Sequence, residues 1–153
     1  MDSPTSLVEY SPERLVSLVR MWREAFEFGV GIVDPNPLEA QVAYFNTEVL
    51  PKNRVRLAHV NGELAGFVAA SAESVAQLHV RVGLHRRGIG SEMLSWAKSQ
   101  SIGSLWLYTF ARNKVAQAFY EHHGFRIVER GFEPTWQLAD IKYSWSGAAA
   151  GAA

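Results

Sequence analysis

The sequence predicts one α/β or α+β domain, a sheet of about seven strands covered by about four helices. Three observations carry that expectation. Apolar positions recur at helical spacing over residues 15–26, and strand-like runs then alternate with helical ones as far as residue 145. Asn61-Gly62 falls between two β-prone runs and supplies the positive φ angles of a two-residue hairpin turn. The 153 residues are 48% hydrophobic and 12% aromatic, with no internal repeat and no linker, which suits a single core. A chain of this length folds to a radius of gyration of about 15 Å and buries roughly two-thirds of its unfolded surface.

Residues 7–10 read as the first strand, and Ser11-Pro12-Glu13 as a cap with proline at the first helical position. Leu15, Leu18, Val19, Trp22 and Phe26 share one helical face, with Gly29 as the stop. Residues 29–37, GVGIVDPNP, form a loop, and a second helix runs from 38 to about 49, ended by Pro51. The hairpin joins Val55, Leu57, His59 and Val60 to Leu64, Gly66, Phe67 and Val68. Residues 75–82 are the fourth strand, and Gly88 opens a helix through Met93, Leu94, Trp96 and Ala97 to about 101. A strand at 105–109, a helix at 114–123 stopped by Gly124, and strands at 125–128 and 141–145 complete the order. Residues 1–146 are therefore the domain, and 147–153 a low-complexity tail.

Fifteen Lys and Arg balance fifteen Asp and Glu, so the excess of basic residues expected of a nucleic-acid binder is absent. With no cysteine there is neither a disulfide framework nor a thiol nucleophile. The first residues, MDSPTSLVEYSPER, lack the basic and apolar regions of a signal peptide, and no uncharged apolar run reaches the length of a membrane span. A cytoplasmic protein is expected, with neither nucleic acid nor membrane as partner.

The segment His85-Arg86-Arg87-Gly88-Ile89-Gly90-Ser91 joins a strand to the start of an amphipathic helix. A helix N-terminus presents unpaired N–H groups and partial positive charge, and glycines let a phosphate approach the backbone, so this is a candidate pyrophosphate cradle. GxxxxGK[ST] is absent and the third glycine of GxGxxG is missing. No GxSxG elbow supports a serine hydrolase. Metal is not expected: His122 and His123 point about 100° apart on a helix and have no cysteine or carboxylate cluster beside them.

After one further strand comes Asn113-Lys114-Val115-Ala116-Gln117-Ala118-Phe119-Tyr120-Glu121-His122-His123-Gly124-Phe125. Together the two segments resemble motifs of the GNAT superfamily of acyl-CoA-dependent N-acetyltransferases. His85 to Gly90 matches Q/R-x-x-G-x-G/A, with His85 where the family usually has Gln or Arg. Asn113, Ala116, Phe119, Tyr120, Gly124 and Phe125 match N-x-x-A-x-x-F-Y-x-x-x-G-F. The element order fits as well, so the resemblance covers roughly residues 5–145.

The resemblance implies a mixed, mostly antiparallel sheet, splayed between its fourth and fifth strands to admit the pantetheine arm of acetyl-CoA, the co-substrate. Backbone groups of Leu78, His79 and Val80 would pair with that arm, and an N–H there would face the thioester carbonyl. His85 to Ser91 would hold pyrophosphate. Asn113, Ala116 and Phe119 would meet the cofactor, although Asn113 equally suits a helix N-cap. Tyr120 would protonate the departing thiolate, while its helical face with Ala116, Phe119 and His123 also permits a core role. Glu73 is the first candidate for the general base and His79 the second; register from the glycine loop puts Ser74, with Glu73 beside it, where some members carry a glutamate.

The acceptor would be an amine on a small molecule, a peptide or a protein lysine. Family members build that pocket from the first two helices and the loop before the last strand, which here hold Trp22, Phe26, Phe28, Tyr44, Glu133, Trp136 and Asp140. Trp22, Phe26 and Trp136 are the substrate-binding candidates, and an aromatic, acidic lining suits a cation. Core packing is the alternative for Trp22 and Phe26. The reading is an enzyme that moves acetyl from acetyl-CoA to a primary amine by direct attack in a ternary complex. The alternative is a non-catalytic acyl-CoA sensor or interaction domain, and a homodimer is compatible with either.

Overall fold

The structure, a computed structural model, describes residues 4–147, so all of the expected tail beyond Gly147 lies outside the described residues. Its elements run β1 (Thr5–Glu9), α1 (Leu15–Val30), α2 (Leu38–Tyr44), β2 (Arg54–Val60), β3 (Glu63–Ala70), β4 (Val75–Val80), α3 (Ile89–Ser99), β5 (Ser104–Phe110), α4 (Lys114–His122), β6 (Arg126–Glu133) and β7 (Leu138–Ser146). The order is the expected one. Asn61 and Gly62 take φ of 53° and 77°, the two positive angles the hairpin between β2 and β3 requires.

The strands form two antiparallel sheets, β1-β2-β3-β4 and β5-β7-β6. Among the described residues they meet only where β4 begins: Ser74 bridges Trp106 in parallel, and the Trp106 N–H donates to the Glu73 carbonyl at 3.1 Å. Beyond that joint the two strands part, which is the expected splay between the fourth and fifth strands. α1 covers one face of the first sheet, packing Leu18, Val19 and Trp22 on Leu57, Phe67 and Ala69. α3 and α4 cover the other, packing Met93, Leu94 and Tyr120 with Val68, Leu107, Ile141 and Tyr143.

Several boundaries differ from the sequence reading, each for a local reason. Gly29 does not stop α1, which runs on to Val30 and is capped by Gly31 at φ 78°. Gly29 is instead a packing residue, since a Cβ there would stand 2.7 Å from Asn113 Nδ2. The second helix is regular only to Tyr44; residues 45–49 continue as a π turn and Leu50–Lys52 as a 3₁₀ turn that contains Pro51. β4 ends at Val80 rather than 82. β6 and β7 are longer than expected, with Val128 bulged between Ile127 and Glu129, and this makes Asp140 a strand residue rather than a loop one. No helix among the described residues is long and apolar enough to cross a membrane.

Candidate active site

The parting of β4 and β5 opens a cleft of about 880 Å³ that passes between the two sheets. Backbone direction decides what it can bind. The Arg81 N–H donates to the Ala65 carbonyl at 2.8 Å, and β3 pairs with β4 through Phe67↔His79 and Val68↔Leu78. Pairing alternates along an antiparallel ladder, so His79 spends its N–H and C=O on β3 while Leu78 and Val80 turn theirs to the open edge. The same alternation on β5 follows from Ala111 N–H donating to Ala139, and it turns Tyr108 and the Phe110 N–H toward the gap. Of the three β4 residues expected to pair with a ligand, two offer free backbone and the third does not.

The His79 side chain points to the α1 side instead. Its ring stacks on Phe67 with centroids 5.5 Å apart and lies 6.0 Å from Trp22. Burial holds its pKa at about 4, so the imidazole is neutral at pH 7. Nε2 lies 2.8 Å from Gln77 Oε1; donation to that oxygen leaves the lone pair on Nδ1. His79 borders the cleft with Trp22, Phe26, Gln41 and Tyr44 from the first two helices. Phe26 contacts Trp136 at 4.8 Å and Phe110 at 6.0 Å, closing the cleft between α1 and the turn joining β6 to β7. Thus Trp22, Phe26 and Trp136 all line the site, and Trp22 is core as well.

On the α4 side the cleft meets Asn113, Ala116 and Tyr120. Tyr120 is 6% exposed, among Phe119, Phe125 and Tyr143, and its hydroxyl has no hydrogen-bond partner among the described residues. Burial raises its pKa, so the phenol keeps its proton at neutral pH. Asn113 is an N-cap, its Oδ1 accepting from the Ala116 N–H at 3.1 Å, yet it also borders the cleft. Phe119 does not line the cleft; its ring packs on Gly90, where a Cβ would stand 3.2 Å from two ring carbons.

In the turn after β4, no backbone N–H from His85 through Ser91 donates to a protein acceptor among the described residues. Arg86 and Gly88 adopt positive φ of 65° and 82°, and Gly88 caps α3, with Ile89 and Gly90 opening its first turn. His85, Arg86 and Arg87 are exposed. Free donors at a helix N-terminus flanked by two guanidiniums make a cradle for an anion. Ser91 is held at one edge of it by His123, whose Nε2 lies 3.1 Å from Ser91 Oγ.

Glu73 lies apart from the cleft. Its side chain is exposed in the bend before β4 and does not border the cleft, because its carbonyl forms the joint with β5 at the closed end of the splay. The carboxylates that line the cleft are Asp34, Glu129, Glu133 and Asp140. Asp34 is engaged by Asn36 and lies near Arg23, which holds the loop after α1. Asp140 has its pKa raised by burial and then by Glu133 and Glu129, and so takes up a proton more readily than an ordinary aspartate. Sequence reasoning named Asp140 only as lining, because the β7 register that turns it into the cleft is long-range. It missed Gln77 and Thr109 altogether; Thr109 Oγ1 is buried on the cleft wall without a partner. No cluster of His, Asp and Glu among the described residues could hold a metal ion.

A split sheet, an anion cradle beside it and a buried phenol at the split define the class. Residues 51–127, half of the chain, match the acetyltransferase (GNAT) domain family, and the chain belongs to that family. It is 25% identical over 138 residues to the peptidyl-lysine N-acetyltransferase YiaC of Escherichia coli K12, covering 90% of this chain and 94% of that protein. Among solved structures it resembles the PaiA N-acetyltransferase of Thermoplasma acidophilum in complex with coenzyme A, with TM-score 0.74, 18% identity, and 94% and 99% of the two chains covered. It also resembles YncA of Salmonella typhimurium with acetyl-CoA, at TM-score 0.70 and 11% identity over 93% of each chain.

Proposed function

We propose that this protein transfers acetyl from acetyl-CoA to a primary amine by direct attack within a ternary complex. The observation that carries the reading is the cleft itself, which opens at the free edge of β4 between the Asn113, Ala116 and Tyr120 side and an aromatic, acidic chamber on the α1 side, with the unpaired N–H groups of residues 85–91 following β4 in sequence. Two structural relatives hold coenzyme A or acetyl-CoA, and the relative YiaC acts on peptidyl lysine. These likenesses support the donor and the amine acceptor.

When bound, acetyl-CoA supplies the thioester. His85 to Ser91 hold its pyrophosphate, and the free edge at Leu78 and Val80 aligns its arm. An N–H of that edge faces the carbonyl oxygen on which negative charge develops. Attack forms the C–N bond and breaks the C–S bond. Tyr120 gives its proton to the leaving sulfur, and Asp140 receives one from the amine nitrogen. Both groups then exchange with solvent.

Calorimetric titration with acetyl-CoA, followed by thiol release in the presence of amines, tests this. Tight acetyl-CoA binding that weakens when free pantetheine replaces it, together with amine-dependent thiol release, is the expected result. Tyr120→Phe should lower kcat about 100-fold with cofactor affinity little changed. Binding without turnover of any amine would make the protein an acyl-CoA-binding domain instead.

A further inference from the structure

The outer face of the second sheet carries aromatic side chains that no element among the described residues covers at one end. Trp106 is 41% exposed and Tyr108 53%, with ring centroids 5.8 Å apart. Lys142, opposite Tyr108 on β7, extends over both rings, 5.0 Å from the Trp106 centroid and 5.9 Å from that of Tyr108. Its ammonium has no carboxylate within ion-pair distance among the described residues, although Glu129 stands opposite it in the β6 register. The strip continues without a break into the cleft: Tyr108 is already a lining residue, and next along β5 comes Phe110, facing Asp140.

Charge divides this surface into two zones. Glu133 and Asp140 make the chamber end acidic, Glu129 stands between the ends opposite Lys142, and the strip end has the Lys142 ammonium lying on aromatic faces. A small amine would engage only the first zone. A polypeptide could engage both, because two residues of extended chain span about 7 Å, which is the step from Tyr108 to Trp106 along β5. We propose, on the footing of the transferase reading above, that the acceptor amine is a lysine side chain within an extended peptide. The residues flanking it lie on the Trp106–Tyr108–Lys142 strip, with an acidic side chain two positions from the lysine meeting Lys142 and an apolar one meeting Trp106. The acceptor ammonium enters the acidic end, and the peptide carboxylate pairs with the free ammonium at the other. Lys142 and Trp106 are then specificity-determining residues outside the cleft.

The experiment measures kcat/KM by thiol release with full-length protein on three acceptors: an N-terminally acetylated nine-residue peptide with one central lysine and glutamate two positions away, the same peptide with that glutamate replaced by arginine, and Nα-acetyl-lysine methyl ester without flanks. The glutamate peptide should exceed the other two by about five- to tenfold, the scale of one partly exposed charge pair with an aromatic contact. Lys142→Glu should invert the preference between the two peptides. Trp106→Ala should lower the ratio of peptide to ester about threefold. Because the readout is a ratio within each variant, partial loss of folded protein cancels.

Equal rates on all three acceptors, with the ratio unmoved by Lys142→Glu, would overturn the strip while leaving the transferase intact. No turnover of any amine, with acetyl-CoA still bound, would remove the transferase reading and the strip with it. A dimer in sedimentation that Trp106→Glu dissociates would assign the strip to a second copy of the chain and also overturn the proposal.

Discussion

Tyr120 and His79 stand on opposite sides of the split, and burial drives each toward its neutral form, raising the phenol pKa and lowering that of the imidazole. A neutral imidazole on an aromatic shelf beside Trp22 and Phe67 adds no positive charge to the chamber, which suits the proposed amine acceptor. Neutrality has a consequence for stability. The folded-state pKa of about 4 is below the 6.5 of a free imidazole, so the unfolded chain takes up the proton first. The stabilisation is complete above pH 6.5 and falls as the pH drops toward 4, by about 3 kcal/mol at the limit. His59 and His123, also lowered chiefly by burial, act in the same direction. Urea unfolding at about pH 7 and about pH 4.5 should show the loss, and His79→Phe, which keeps an aromatic ring on Phe67, should shrink it. An unchanged pH difference in that variant would contradict the assignment to His79.

Gly29 and Asn113 show how two elements fix the rim of the cleft. The Asn113 side chain caps α4 and lies against the glycine of α1, while Arg112 donates from Nε to the Val30 carbonyl at 2.9 Å and reaches the Gly31 carbonyl as well. Glycine inside a helix costs about 0.5–1 kcal/mol relative to alanine, and losing an N-cap costs about 1 kcal/mol. Gly29→Ala is therefore expected to destabilise the wild type by about 0.5 kcal/mol, the displaced cap less the helix gain, yet to stabilise an Asn113→Ala background by about 0.5 kcal/mol. Thermal melts of the four proteins in this cycle decide it, and the same sign in both backgrounds would refute the contact. This pair also marks where sequence reasoning reaches its limit. Asn61-Gly62 and the Gly88 cap were legible because their signals are local backbone angles. Gly29 read as a stop because the side chain that needs its space is 84 positions away. β6 read as half its length because its residues are exposed on both faces and carry no inside–outside alternation. Glu73 read as a base because register from the glycine loop was counted along the family pattern without the joint that anchors its carbonyl, while Asp140, turned inward by pairing with Phe110 and Gly131, gave no local sign.

The molecule as a whole is two sheets hinged at one end, and the split was foreseen only through the family resemblance, since nothing local says that two neighbouring strands will fail to pair. Unpaired edges are costly to leave open and are templates for pairing, so an edge kept free inside a cleft points to a ligand that completes it. The alternation along β4 makes this a residue-by-residue claim. Leu78 and Val80 present their N–H groups to the gap, whereas His79 donates to Phe67 and Arg81 to Ala65. Across the gap, Tyr108 and Phe110 present theirs, whereas Ala111 donates to Ala139. Acetyl-CoA lying along the split should slow amide hydrogen exchange at Leu78 or Val80 by about tenfold or more and leave His79 and Arg81 near their unliganded rates. Amide-resolved exchange by NMR, with and without acetyl-CoA, reads these positions separately. Uniform slowing of every β4 amide would mean that the ligand merely stabilises the fold as a whole. Protection confined to His85 through Ser91, with β4 unchanged, would mean that the anion cradle binds while the split stays empty, and the cleft would lose its role as the path that carries acetyl to the acceptor.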